Sequence, residues 1–306
     1  MQSALDPAPG SAAWTIDELG FVLYVGAAVI LAIVSLLALF GVLAGPRSIN
    51  ARRWLIVGGL AVPGAVLIAL FVHALVVGEA LVSAIHGDLL RIHVTGKQWW
   101  WEVRYQGGDG LPEALLANEL HIPLGRPVEI LLDSTDVIHS FWVPALAGKV
   151  DMIPGRSTRL IVRAERPGVY RGQCAEYCGA QHALMAFHVV AEPADRFEAW
   201  LVQQAATAEL PSDPQLRLGH DLFFRGGCAS CHAIRGTAAN GRLGPDLTHV
   251  GSRRALAAGT LRNHVGTMAG WIAGPQDLKP ASLMPNADGY TGPELRALSA
   301  WLVSLE

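Results

Sequence analysis

Cys174, Cys178 and His182 follow one another at four-residue steps in the run Gly172-Gln-Cys-Ala-Glu-Tyr-Cys-Gly-Ala-Gln-His182-Ala-Leu-Met185. A second run, Cys228-Ala-Ser-Cys231-His232, lies further along, and the two together use all 4 cysteines of the chain. Two thiols and an imidazole this close in sequence make a soft-ligand metal site, whereas C-x-x-C-H is the attachment signature of a c-type haem. A polypeptide holding both would move electrons between two redox centres.

Several chemistries compete for the first run. A further ligand is available from His139 in Asp136-Val-Ile-His139-Ser-Phe-Trp-Val-Pro144. A structural zinc site would use the same two cysteines and two histidines. Zinc sites, however, pair their cysteines inside small knuckles, and the nearby Met185 suits copper better. A blue-copper site needs one cysteine rather than two. A Cys174–Cys178 disulfide is the remaining alternative in an oxidising compartment. In the second run His232 is the proximal haem ligand, with a zinc or redox use of the motif as its rival. A methionine at the sixth position would raise the haem potential. Met284 in Ser-Leu-Met-Pro-Asn and Met268 in Thr-Met-Ala-Gly are the candidates.

These sites must be positioned by very different elements. Gly20 to Ala44 and Leu55 to Val77 are almost wholly apolar, with no Asp, Glu, Lys or Arg and His73 as their one imidazole. Each meets the roughly 20 residues that a bilayer core requires, and Pro63 is tolerable in such a helix. Arg47, Arg52 and Arg53 stand between the two runs, while the segment before the first carries Asp6, Asp17 and Glu18. The positive-inside rule therefore places the loop in the cytoplasm and both termini outside. The missing basic n-region argues against a cleaved signal peptide. A formal net charge of −3 without long charged runs makes nucleic acid an unsuitable partner.

Beyond the spans the period becomes strand-like. Leu89–Thr95, Val128–Leu132, Thr158–Val162 and Phe187–Ala191 are short β-branched or alternating segments, which predict an antiparallel sandwich or barrel. A helix is expected from Pro193 through Trp200, then a linker over Glu209–Pro214. The last segment reads as a small all-α unit, with helices over Gln215–Arg225 and Pro293–Leu305 and Gly-rich loops between them. So thin a core would need the porphyrin to supply much of its buried apolar surface. The chain is thus expected to divide into residues 1–85 (terminal segment and transmembrane hairpin), 86–193 (β module), 194–213 (helix and linker) and 214–306 (α unit).

These residues resemble the subunit II family of haem-copper cytochrome c oxidases. The matching text is Gly96-Lys-Gln-Trp-Trp-Trp101, Asp136 to Pro144, Lys149-Val-Asp-Met-Ile-Pro-Gly-Arg156 and Gly168 to Gly179 in the β module, and the resemblance covers the membrane hairpin as well. The C-terminal unit is similar to class I cytochrome c domains, so the whole resembles the caa3-type variant with a fused cytochrome. The resemblance implies a cupredoxin barrel holding the binuclear CuA centre. Cys174 and Cys178 would bridge both coppers, His139 and His182 would each terminate one, Met185 would be a weak axial ligand, and Glu176 would contribute its backbone carbonyl. The Glu176 side chain would also reach a magnesium ion at the interface with subunit I, and Trp99 would be the indole through which electrons reach copper. In the cytochrome unit the resemblance implies a covalent haem c on Cys228 and Cys231, ligated by His232 and Met284, with the Pro245 carbonyl accepting a bond from His232.

By the same resemblance, electrons would pass from a cytochrome c donor to the haem, to CuA and to subunit I, where oxygen is reduced and protons pumped. The setting would be a bacterial inner membrane, with both redox modules on the periplasmic side and other oxidase subunits as partners. The chain departs from the family at Trp100, commonly tyrosine, and at Ala186, usually proline. For Trp100 and Trp101 a membrane-interface belt is an equal reading. No glutamate lies between Arg53 and Leu70, where many relatives admit protons. The competing functions are the CuA subunit of a nitric-oxide reductase complex and a non-enzymatic, membrane-anchored copper or electron carrier.

Overall fold

The protein's structure, a computed structural model, describes residues 6–7, 11–45, 48–83, 89–108 and 110–306. Arg47, one of the orientation residues, lies outside them. Two apolar helices come first. α1 (Ala12–Leu43) starts at Ser11, whose hydroxyl accepts from the Trp14 N–H, as an N-cap should. The second runs through α2 (Ala51–Arg53), a π-helical stretch (Trp54–Ala61) and α3 (Val62–Ser83). The π stretch, closed by a bond from Val62 N–H to Val57 C=O, was not legible in the apolar pattern. It ends just before Pro63, whose ring nitrogen has no proton for the helical ladder, and such local widening re-satisfies backbone groups near a proline. Leucines, isoleucines and valines along both helices stand exposed, and both are long and apolar enough to cross a bilayer.

The β module is a sandwich of two five-stranded sheets. Its strands are β1 (Leu90–Lys97), β2 (Trp100–Tyr105), β3 (Ala114–Ala117), β4 (Glu119–Pro123), β5 (Val128–Ser134), β6 (His139–Trp142), β7 (Val150–Met152), β8 (Thr158–Val162), β9 (Gly168–Cys174) and β10 (Ala186–Glu192). One sheet runs β3-β2-β1-β5-β8 and the other β4-β10-β9-β6-β7. The expected strands fall in β1, β5, β8 and β10. Most pairings are antiparallel as expected, but β1 with β5 and β4 with β10 are parallel. Alternation puts Leu90, Ile92 and Val94 inward, opposite Val128, Ile130 and Leu132 in register. Ser11 Oγ donates to the Ala145 carbonyl and Ala13 N–H to that of Leu146, which seats the sandwich at the start of α1.

α4 (Ala194–Ala205) packs Phe197 and Leu201 onto the sandwich core. The α unit is built from α5 (Pro214–Arg225), α6 (Val265–Ala273), the short α7 (Pro275–Leu278) and α8 (Gly292–Val303). Both expected helices are there with their signals: Asp213 caps α5, and Thr291 with Glu294 forms a capping box on α8. α5 crosses α8 where Gly219 meets the Ala297 backbone, a contact too close for any side chain. Leu222, Phe223 and Trp301 form the core beside it.

Candidate metal and haem centres

Three segments build the first site. β6 contributes His139 at its first residue, β9 ends on Cys174, and the loop between β9 and β10 carries Cys178, His182 and Met185. Cys174 Sγ and Cys178 Sγ lie 3.7 Å apart. His139 Nδ1 stands 3.9 Å from Cys174 Sγ, and His182 Nδ1 3.8 Å from Cys178 Sγ on the other side. Met185 Sδ is 3.8 Å from Cys178 Sγ, and the Glu176 carbonyl 3.2 Å from Cys174 Sγ. The sulfurs are far beyond the roughly 2.05 Å of a disulfide, and both cysteines are free, which removes the disulfide alternative.

The donor chemistry fits copper. Cys174, Cys178 and Met185 belong to the buried sandwich core, so water is excluded from three sulfur donors. The Cys178 thiol, donating towards Cys174, holds the Cys174 pKa down at about 3 against the opposing effect of burial, with His139 helping. Cys178 is pushed up by the same contact and by burial. The two sulfurs thus face each other closely enough for one soft cation to contact both. Asp136 Oδ1, 2.8 Å from His139 Nε2, fixes that ring with Nδ1 facing the sulfur. Neither blue copper, with its single cysteine, nor a zinc knuckle accounts for a thioether and a backbone carbonyl beside two thiols.

Trp99 is half-buried, and its indole N–H donates to the Cys178 carbonyl at 2.9 Å, as does Gln98 Nε2. Trp101 is fully buried against Phe141 and Phe187, so a membrane-interface belt is excluded for it. Trp100 lies under the Lys97 ammonium, 4.9 Å from the ring centre. The Glu176 carboxylate is 3.2 Å from Lys149 Nζ, an exposed ion pair. Asp136 and Gln98 lay within the quoted motifs, but only the folded geometry reveals their roles.

In the α unit His232 Nδ1 is 2.8 Å from the Pro245 carbonyl, which leaves Nε2 free to ligate. Burial lowers the His232 pKa, keeping the ring in the neutral form a metal requires. Gly244 presses on the imidazole where a Cβ would collide. Cys228 and Cys231 are free thiols, half-buried at the start of the site. Arg253 is buried, and its Nε has no partner among the described residues, a donor that an anionic cofactor edge would satisfy. These features fit a haem. Met284 is half-buried at the edge of the core, whereas Met268 lies inside it on α6. His249 is buried, with Nε2 3.0 Å from the Ala206 carbonyl.

Comparisons with known proteins match both modules. Residues 111–192 match the family described as cytochrome c oxidase subunit II, periplasmic domain, and residues 216–306 match cytochrome c. Cytochrome c oxidase subunit 2 of Alkalihalophilus pseudofirmus is 38% identical over 216 residues, covering 70% of this chain and 61% of that protein. The chain thus spans about three fifths of that relative's length. The alternative cytochrome c oxidase subunit 2 of Bradyrhizobium diazoefficiens is 34% identical, covering 54% of this chain and 67% of that one. Among solved structures, the periplasmic domain of subunit II of cytochrome oxidase from Bradyrhizobium japonicum is 30% identical, covering 39% of this chain and 96% of that one, with a TM-score of 0.36.

Proposed function

Because the chain belongs to the cytochrome c oxidase subunit II family, we propose that it is the electron-delivering subunit of a caa3-type haem-copper oxidase. In this role it takes electrons from a cytochrome c and passes them to subunit I for reduction of oxygen to water coupled to proton pumping. The observation that carries the reading is two thiols 3.7 Å apart, each flanked by an imidazole Nδ1, in the same chain as a Cys-x-x-Cys-His run whose histidine keeps Nε2 free.

When bound, the CuA pair and the haem each supply a reversible one-electron change. Cys174, Cys178, His139, His182, Met185 and the Glu176 carbonyl would hold the copper. Cys228 and Cys231 would hold the haem covalently, together with His232 and Met284. Asp136 orients His139, Pro245 orients His232, and the sandwich core keeps water from the sulfurs. Ligands held by strand ends, as His139 and Cys174 are, and by a loop packed into the core would move little between oxidation states, which favours fast transfer over a small driving force. Trp99, bonded to the Cys178 carbonyl, is the side chain through which electrons would reach copper. A magnesium ion at the subunit I interface would take the Glu176 carboxylate from Lys149.

The two apolar helices anchor the protein in a membrane. The reading places them in a bacterial inner membrane with Arg52 and Arg53 on the cytoplasmic side and both redox modules and termini outside. The test is to purify the complex and measure gas consumption with reduced cytochrome c. Oxygen uptake lost in Cys178→Ser supports the oxidase. Nitric oxide consumption without oxygen uptake would assign the chain to a reductase, and a chain isolated without partner subunits or uptake would be a carrier.

A further inference from the structure

Five residues before Met284 stands a lysine in a place that composition would not assign to it. Lys279 is 2% exposed, and its hydrogen-bond partners are main-chain carbonyls rather than carboxylates. The ammonium donates to Leu184 at 3.0 Å, Ala257 at 3.2 Å and Trp99 at 3.4 Å. An ammonium has three donors, so the set is saturated. Burial pulls its pKa down to about 8, with Cys178 opposing. A buried cation without a counter-ion is costly to keep, which directs attention to what it holds together.

Its partners come from both redox modules. Leu184 lies between His182 and Met185 in the copper loop, Trp99 is bonded to the Cys178 carbonyl, and Ala257 belongs to the haem module. Next to Lys279 the contact is reciprocated, because Gln181 Nε2 donates to the carbonyls of Lys279 and Pro280 at 3.1 and 2.9 Å. Ala186 N–H donates across the same boundary to the Ala258 carbonyl at 3.0 Å. Ala257 and Ala258 both have left-handed φ, 52° and 53°, a conformation alanine rarely adopts. Such backbone persists where the surroundings over-determine it, and here both carbonyls are bonded across or at the boundary.

We propose that Lys279 is a positioning residue that locks the haem module onto the copper-ligand loop, so that the two centres work in one fixed arrangement rather than from a swinging tether. The inference rests on the electron-relay reading above and extends it. The loop carrying Met284 is pinned, through Lys279 and Gln181, to the loop carrying His182 and Met185, and the linker at 206–213 has no need to move during turnover. The two modules then keep the same main-chain contacts in every cycle.

The test uses the full chain in detergent, loaded with copper and haem, as wild type and as Lys279→Met. Copper resonance and haem absorbance are recorded first; if the wild type lacks either, the relay reading itself fails. With both present, haem-to-copper transfer after flash reduction should be indifferent to solvent viscosity in the wild type, and the Ala186 amide should be protected from deuterium exchange. Lys279→Met should keep both spectra, lose the Ala186 protection, slow transfer at least tenfold and make it viscosity-dependent. A wild-type rate that already falls with viscosity would overturn the proposal, as would a Lys279→Met chain that retains both protection and rate. The wild-type measurement decides alone if the variant fails to assemble.

Discussion

The copper site and the haem site are built by opposite strategies within one chain. His139, Cys174, Cys178, His182 and Met185 converge at the end of a β sandwich whose core is filled by protein alone. Cys228, Cys231 and Met284 sit on loops only half covered, next to a smaller cluster, and Leu243 and Leu283 nearby are 78% and 84% exposed. A soft metal inserted into a finished framework changes little else. A porphyrin inserted among loops completes the core on which those loops depend. The first site should therefore survive loss of its cofactor as a fold, and the second should not.

The strongest way to break that comparison is to remove each cofactor in turn. Cys228→Ser with Cys231→Ser should abolish haem attachment and with it the cooperative melting and protease resistance of residues 214–306. Copper-stripped chain should keep the circular dichroism and melting of the sandwich. Equal losses in the two cases, followed by calorimetry, would erase the distinction drawn here.

A sharper version separates two methionines. Met284→Ala should remove the sulfur-to-iron charge-transfer band of the ferric haem and lower its reduction potential at modest cost in stability. Met268→Ala should keep the band but cost about 2–5 kcal/mol, because that side chain is core. Optical spectra and denaturant titrations of both variants decide, and a band lost only in Met268→Ala would reverse the ligand assignment. A smaller effect is expected at Asp136. Asparagine there still reaches His139 but without charge, and copper affinity should fall roughly 10–100-fold with the sandwich intact.

The smallest effect concerns a buried histidine remote from either cofactor. His121 stacks on Trp200 and lies between Glu192 Oε1, 2.6 Å from Nδ1, and Glu119 Oε1, 3.3 Å from Nε2. Burial lowers its pKa, but the two carboxylates outweigh burial and the net shift is upward. Its contribution to stability is thus complete below the unfolded value of about 6.5 and is lost as pH rises through the higher folded value. The melting temperature of the sandwich should decline slightly over that rise, and His121→Asn should flatten the decline. An unchanged pH profile in the variant would show that the charge is not what stabilises this corner.

Much of this was readable in one dimension because it is local. The copper loop packs four of its donors into twelve residues, Cys174 to Met185; the strands alternate; and Asp213, Thr291 and Glu294 announce their helices. The remainder depends on contacts between distant segments. Parallel pairing of β1 with β5 leaves no local mark, since the same alternating face serves either direction. Trp101 reads as an interface aromatic until the sandwich closes over it. Lys279 is the extreme case: a lysine in a Pro-rich loop reads as surface, and only the meeting of two modules buries it.

The central claim is that Cys174 and Cys178 hold two coppers between them in the same chain that carries the haem. Electron paramagnetic resonance on the oxidised, copper-loaded full chain, with metal content determined on the same sample, tests it most directly. The account predicts two coppers and one haem iron per chain, with one unpaired electron shared evenly by the copper nuclei, a signal that vanishes in Cys178→Ser while the haem spectrum stays. A fully occupied wild-type site containing zinc, or a single copper whose signal survives Cys178→Ser, would contradict it.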